Sequence, residues 1–154
     1  MIDLIRRAYR GFDHLAPLAD LVLRLWVAAV FFKSGLVKIR SWETTLLLFE
    51  NEYQVPLLSP EAAAWLGTGA ELVLPVLLAL GLAGRFAAVA LFVFNIVAVI
   101  SYPELEGAGL EQHYVWGILL FATVARGPGA LSLDRLLGRF TPPPIRARSP
   151  SASP

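Results

Sequence analysis

Four long stretches of mostly apolar residues, separated by polar segments, set the hydrophobic pattern of the chain. They cover residues 17–39, 62–82, 86–102 and 110–125. A helix needs about 20 mostly apolar residues to cross the hydrocarbon core of a bilayer, and the first three stretches approach or exceed that length. The fourth is shorter and begins with polar residues at 111–113. We therefore expect a helix whose outer end is in contact with water, a locally thin bilayer or a re-entrant segment. The pattern predicts an all-α integral membrane protein, a four-helix bundle.

The composition agrees with a membrane protein. Of 154 residues, 16% are charged and 56% are hydrophobic, and the mean hydropathy is +0.63, whereas soluble domains carry about 25% charged residues. A net charge of +1 cannot supply a uniformly basic face, which argues against a nucleic-acid partner. Because the sequence has no cysteine, this chain by itself cannot form disulfides, thiolate metal sites or iron–sulfur clusters.

The distribution of charge predicts the orientation. Basic residues concentrate before the first stretch, between the second and third, and after the fourth, whereas acidic residues collect in the loops 40–61 and 103–112. The positive-inside rule then places both termini in the cytoplasm and these loops outside a bacterial inner membrane, with Lys38 and Arg40 as contrary residues. Several aromatic residues fall near the predicted outer boundary, as an interfacial belt should. They are Trp42, Trp65, Tyr102, Tyr114 and Trp116.

Residues 17–134 form the predicted four-span membrane domain, and the two ends of the chain differ from it. In residues 1–16, apolar side chains share one helical face and arginines lie away from it, which predicts an amphipathic helix on the cytoplasmic membrane surface. Residues 135–154 are basic and rich in proline and serine, so we expect a disordered cytoplasmic tail. Within the first outer loop, residues 42–49 have the pattern of a short amphipathic helix.

Three polar residues fall within the apolar stretches. A charge at mid-membrane costs about 2.5–3.5 kcal/mol on insertion scales, so each one needs a partner or water. Counting along the helices places Arg24 and Glu71 about 6–7 Å apart along the membrane normal, and Asn95, near the centre of the third stretch, can reach either one. We therefore predict an intramembrane polar site of Arg24, Glu71 and Asn95. Two interpretations stay open, a functional site or an ion pair that only fixes helix registry.

Three further residues are secondary candidates for the site. Lys38 lies on the same face of the first stretch as Arg24, whereas Lys33 lies on the opposite face, near enough to the outer edge to snorkel. His113, beside Glu111, belongs to the best polar pair at the outer surface. The two histidines of the chain fall at opposite membrane boundaries, so we expect no metal site. No nucleophile–base arrangement is present, and the catalytic residues are unknown.

Three motifs occur in order along the chain. The first is Arg24 followed by F-x-x-G-x-x-K at residues 32–38, the second covers 67–71 and continues in 80–88, and the third is G-P-G-x-L-S-L-D at 127–134. Together they resemble the DoxX family of small four-helix bacterial membrane proteins. The resemblance implies a membrane subunit, since some relatives are associated with quinone-linked oxidation and others occur with detoxification or oxidative-stress systems.

Three functions are open at this point. The first is an accessory subunit of a redox or metal and oxidative-stress system, without a redox centre of its own. The second is a quinone-interacting subunit of an oxidoreductase, in which Glu71→Gln or Arg24→Leu abolishes quinone binding. The third is a small proton-coupled transporter, which needs an oligomer because four short spans enclose little volume.

The cofactors and partners follow from these hypotheses. We expect no intrinsic cofactor and no autonomous enzyme, with quinone as the ligand in the second case. The expected partners are the lipid bilayer, a protein of the membrane, periplasm or cytoplasm, and a second copy of the chain, with no nucleic acid.

Overall fold

The computed structural model describes residues 15–138, and the regular structure in this part of the chain is entirely helical. The amphipathic helix predicted for residues 1–16 and the tail predicted for residues 135–154 lie outside the described residues, except for their inner ends. The helices are α1 (Ala16–Arg40), α2 (Trp42–Asn51), α3 (Pro60–Leu80), α4 (Gly84–Ser101), α5 (Gly107–Arg126) and α6 (Leu133–Gly138).

The four apolar stretches correspond to the four long helices α1, α3, α4 and α5, and local signals define the helix ends. The hydroxyl of Ser59 accepts a hydrogen bond from the backbone N–H of Ala62, and Pro60 follows at the first helical position, so α3 begins there. Gly81 adopts the left-handed conformation and ends the same helix. The short helix predicted in the first outer loop is α2.

The long helices form a ring in which α1 packs against α3 and α5, and α4 packs against the same two helices. Successive long helices run antiparallel, because Gly35 and Arg24 of α1 contact Leu72 and Leu78 of α3 in reverse order, and short connections join α3 to α4 and α4 to α5. The bundle therefore runs up, down, up, down. The short helix α2 packs on α3 and α1 at one end of the bundle, and α6 follows α5 at the opposite end. We call these the α2 end and the α6 end.

Two of the helices, α3 and α4, are long and apolar enough to cross a membrane. The outward faces of the bundle carry large exposed apolar side chains on all four long helices, among them Trp26, Leu66, Val93 and Ile118. Such surfaces suit contact with lipid rather than water. That all four long helices span a bilayer, with both termini in the cytoplasm, stays a prediction.

Close packing of α1 against α3 fixes the axial register of this pair. A Cβ atom added to Gly35 would lie 3.0 Å from the side chain of Leu72 and 3.1 Å from Cβ of Glu71, so glycine lets the two backbones approach. The main core lies below this contact, towards the α6 end, and includes the fully buried Leu78 and Leu91. This register decides which polar side chains of α1 and α3 meet.

Candidate ligand-binding cavity

A cavity of about 530 Å³ lies among the helices at the α2 end. Small side chains on α3 leave this space open, since Ala63, Gly67 and Ala70 line the wall. The side chains of Phe49 on α2 and Tyr53 in the following loop also line it. Volumes of several hundred Å³ with mostly apolar walls are typical of small-molecule sites. The cavity is therefore the best candidate for a binding site in the described part of the chain.

An ion pair forms the charged part of the cavity wall. Lys38 Nζ lies 2.7 Å from Glu71 Oε2 and 2.9 Å from Oε1, and the two side chains are only 16% and 7% exposed. The hydroxyl of Ser34, one helical turn before Lys38, donates to Glu71 Oε1 at 3.1 Å and accepts from Lys38 Nζ at 2.9 Å. All three N–H donors of Lys38 Nζ thus have a partner, so the pair is hydrogen-bonded as well as charge-compensated.

A second polar group of the wall joins α4 to α5. The side-chain amide of Asn95 donates to the backbone carbonyl of His113 at 3.0 Å, and its oxygen lies 2.8 Å from Nδ1 of the same histidine. The imidazole also packs edge-on against Trp116, with ring centroids 4.7 Å apart. His113 and Trp116 both line the cavity. Asn95 therefore bonds both the backbone and the ring of His113, and together with Trp116 it fixes the orientation of the ring.

Aromatic side chains line the cavity beside α2. Tyr53 packs edge-on against Phe49 and Tyr102, with ring centroids 4.9 Å and 5.2 Å apart, and the backbone N–H of Gln54 donates to the carbonyl of Ser101 at 2.7 Å. These contacts tie the loop after α2 to the end of α4. Burial raises the pKa of the Tyr53 phenol, and the nearby acidic groups of Tyr102 and Glu52 raise it further.

Arg24 lies elsewhere, in the α6 half of the bundle. Its side chain is 1% exposed and donates to the backbone carbonyls of Leu78 and Ala79 at the end of α3 and of Leu131 before α6, at 3.2, 3.4 and 2.6 Å. Within residues 15–138, no hydrogen bond or ion pair joins Arg24 to Glu71.

The structure therefore separates Arg24 from the other two residues of the predicted cluster, since Glu71 and the Asn95–His113 pair belong to different parts of the wall of one cavity. The expected offset of Arg24 and Glu71 assumed that both apolar stretches start at a membrane boundary. The contact of Gly35 with Leu72 instead sets the antiparallel register, and at ~1.5 Å per residue it moves Arg24 about 18 Å from Glu71 along the bundle.

The secondary candidates also separate in the structure. Lys38 supplies the cation for Glu71, while Lys33 is exposed on the outside of α1. His113 faces Asn95 and the cavity, whereas Glu111, its expected partner, is exposed. The four-residue spacing of Ser34 and Lys38 was a sequence signal for this site. The sequence held no comparable signal for Tyr53.

The motif at residues 127–134 acts at the α6 end. The carboxylate of Asp134 accepts hydrogen bonds from the backbone N–H groups of Ala83 and Gly84, both at 2.8 Å, at the start of α4. Such N–H groups have no partner inside the helix and carry partial positive charge. Arg126 pairs with Asp20 at 2.7 Å, which joins the end of α5 to the start of α1. These residues hold the helix ends together, far from the cavity.

Comparisons with known proteins show what the chain is similar to. The model of the DoxX family matches residues 19–103, just over half of the chain. A protein of Haemophilus influenzae described as an uncharacterized protein is 31% identical over 131 residues, which is 79% of this chain and 85% of that protein. No solved structure matches the chain. The matched region contains Ser34, Lys38, Glu71 and Asn95 but ends before His113.

Proposed function

The chain belongs to the DoxX family of membrane-associated proteins, and from this membership we propose that it is an accessory membrane subunit that binds a quinone in its cavity. In this role it has no redox centre of its own and serves a redox or metal and oxidative-stress system. The observation that carries the proposal is the cavity at the α2 end, whose largely apolar wall includes one compensated ion pair and one histidine.

We place the protein in a bacterial inner membrane, with α1, α3, α4 and α5 as spans and both termini in the cytoplasm. The charge distribution supports this orientation under the positive-inside rule. Exposed basic residues at the α6 end include Arg85, Arg126 and Arg135, whereas exposed carboxylates at the α2 end include Glu43 and Glu50. In this topology the cavity lies in the outer half of the bilayer.

The chemistry of the cavity suits a quinone head group. A quinone is a flat ring with polar oxygens, so it gains from stacking on aromatic side chains and from a few fixed polar groups. The cavity offers Phe31, Phe49, Phe94 and Trp116 for ring contacts. A polar wall of charged and imidazole groups orients the ring oxygens, while the apolar side chains exclude water.

Electron transfer needs a second protein. The sequence contains no cysteine and only two histidines, which are the residue types that hold most protein redox centres. In our proposal a partner carries the redox centre and exchanges electrons with quinone held in this chain.

A matched pair of glycine variants tests quinone binding. Gly67 lines the cavity, and a Cβ atom there would lie 3.5 Å from the Phe49 ring, so Gly67→Leu places its side chain in the binding space. Gly69, two residues along the same helix, has nothing within 4 Å of an added Cβ, so Gly69→Leu is the control. We expect the wild type and Gly69→Leu to bind a short-chain quinone in calorimetric titration, and Gly67→Leu to lose at least ten-fold in affinity.

The full chain is purified in gentle detergent for this experiment, and native mass spectrometry identifies co-purifying quinone and protein partners. Circular dichroism and gel filtration verify that both variants keep the wild-type fold. A wild type that binds neither the quinone nor its reduced form overturns the proposal, and so does a folded Gly67→Leu variant that binds as tightly as the wild type.

A further inference from the structure

Protein atoms that can only accept a hydrogen bond distinguish the two redox forms of a quinone ligand. The oxidised ring has carbonyl oxygens, which accept hydrogen bonds and donate none. The reduced hydroquinone has hydroxyl groups, which do both. A protein donor therefore serves either form, whereas a protein acceptor without a hydrogen of its own is satisfied by the hydroquinone alone.

The strongest donor in the cavity wall is already fully used. The ammonium group of Lys38 directs its three N–H bonds to Ser34 and to the two carboxylate oxygens of Glu71, at 2.7–2.9 Å. A quinone carbonyl that took one of these donors would break a bond within a partly buried ion pair. Lys38 therefore compensates the charge of Glu71 and does not select for a ligand carbonyl.

Asn95 decides which nitrogen of His113 is free. Its amide nitrogen donates to the His113 carbonyl, so its oxygen is the atom that faces Nδ1 and must accept a hydrogen bond. In the neutral ring the proton then sits on Nδ1, and Nε2 keeps a bare lone pair. Within residues 15–138, Nε2 has no hydrogen-bond partner, and the residue lines the cavity.

From these contacts we infer that the cavity prefers a hydroquinone, or another ring that carries a hydroxyl group, over the oxidised quinone. The ligand hydroxyl donates to Nε2 of His113, and Asn95 acts as the positioning residue that keeps this nitrogen an acceptor. The inference rests on the proposed function, because it specifies the redox form of the ligand bound at the same site. The phenols of Tyr53 and Tyr102 and the indole N–H of Trp116 can donate to both forms, so they do not oppose this preference.

The test compares the two forms of one ring on the full chain in detergent. Trimethylhydroquinone and trimethylbenzoquinone are titrated separately into the wild type by calorimetry, under anaerobic conditions. We expect the hydroquinone to bind about ten-fold more tightly, since the quinone covers the Nε2 acceptor without offering it a hydrogen-bond donor. The proposed function fails if neither ring binds. The present inference alone fails if both bind with equal affinity, or if the quinone binds more tightly.

Variants then assign the preference to the histidine. His113→Phe should lose the ten-fold preference while still binding the quinone, and so should His113→Gln, because a glutamine amide can either donate to the quinone or accept from the hydroquinone. Asn95→Leu should lower the ratio of the two affinities, because the histidine proton is then free to move to Nε2. Tyr114→Phe, at the exposed neighbouring position, is the control and should leave the ratio unchanged. A preference that persists in both His113→Phe and Asn95→Leu contradicts the assignment to Nε2.

Discussion

Lys38 and Glu71 show how one chain keeps two opposite charges inside a mostly apolar bundle. Each side chain on its own would be costly to bury, but two hydrogen bonds join Lys38 to Glu71 and two more join the pair to Ser34, so no donor of Lys38 Nζ lacks a partner. The pair therefore costs most when only one member is removed. Comparing variants that lack one charge with a variant that lacks both therefore separates the contribution of the pair to folding from its contribution to the cavity.

Removing one charge of this pair should destabilise the protein more than removing both. Lys38→Met leaves an uncompensated carboxylate, and Glu71→Gln leaves an uncompensated ammonium group, at a cost of about 3 kcal/mol each. In the double variant Lys38→Met/Glu71→Gln both charges are gone, and we expect stability within about 1 kcal/mol of the wild type. Thermal unfolding in detergent measures all four proteins. Additive losses in the double variant would contradict a direct charge coupling.

Arg24→Leu should affect stability and leave the ligand in place, which revises the expectation from the sequence that it abolishes quinone binding. The guanidinium group bonds three backbone carbonyls at the α6 end, and leaving them unpaired costs about 3 kcal/mol in total. The cavity lies at the other end of the bundle. Quinone titration of the folded variant, with Gly67→Leu as the positive control for lost binding, checks this. A large loss of affinity in Arg24→Leu would refute the separation of the two ends.

The turn between α3 and α4 depends on its neighbours for its conformation. Gly81 and Ala83 both have left-handed backbone angles, with φ values of 64° and 48°. Two contacts hold this turn from outside, since Asp134 accepts from the N–H of Ala83 and the carbonyl of Gly81 accepts from the N–H of Asp134. The start of α6 therefore caps α4 and orients α3 relative to α4.

Two glycine positions with similar backbone angles test this packing. Gly107 has a φ of 54° and nothing within 4 Å of an added Cβ, so Gly107→Ala should cost only the left-handed strain of about 1 kcal/mol. At Gly81, with a φ of 64°, an added Cβ would also clash with the Arg24 guanidinium and lie 2.5 Å from Cβ of Ser132. We expect Gly81→Ala to cost about 1–3 kcal/mol more. Thermal unfolding measures both, and equal costs would mean that the packing around Gly81 relaxes.

In the whole molecule, the two ends of the bundle have different chemistry. The α6 end carries the exposed arginines. There Arg24 and Asp134 bond backbone groups, and Arg126 pairs with Asp20. The α2 end carries exposed carboxylates, the Trp42 and Trp65 rings, which are tilted against each other with centroids 4.3 Å apart, and the cavity. This polarity supports the proposed orientation, in which the cavity lies in the outer half of the membrane.

Cysteine labelling tests the orientation directly, because the natural sequence contains no cysteine and needs no background substitutions. Glu50→Cys places a thiol at the α2 end and Arg135→Cys at the α6 end, both at exposed positions. In bacterial spheroplasts, whose outer membrane is removed and whose inner membrane is intact, a membrane-impermeant maleimide should label position 50 and not position 135. Both positions should react after detergent lysis. Labelling of position 135 and not of position 50 in spheroplasts would show the opposite topology.

The sequence by itself determined the all-helical class, the location of the four long helices to within about three residues, the short helix α2 and the uneven distribution of charge. These properties are local, because about 20 contiguous apolar residues, a capping serine or a left-handed glycine act within their own segment. Which polar residues meet was decided by the tertiary structure alone. The contact of Gly35 with Leu72 sets the register in which Lys38 pairs with Glu71 and Arg24 lies at the α6 end. The packing of α4 on α5 brings Asn95 into contact with His113. The axial position and rotation of a helix relative to its neighbours depend on side chains distant in sequence, so no local pattern contains them.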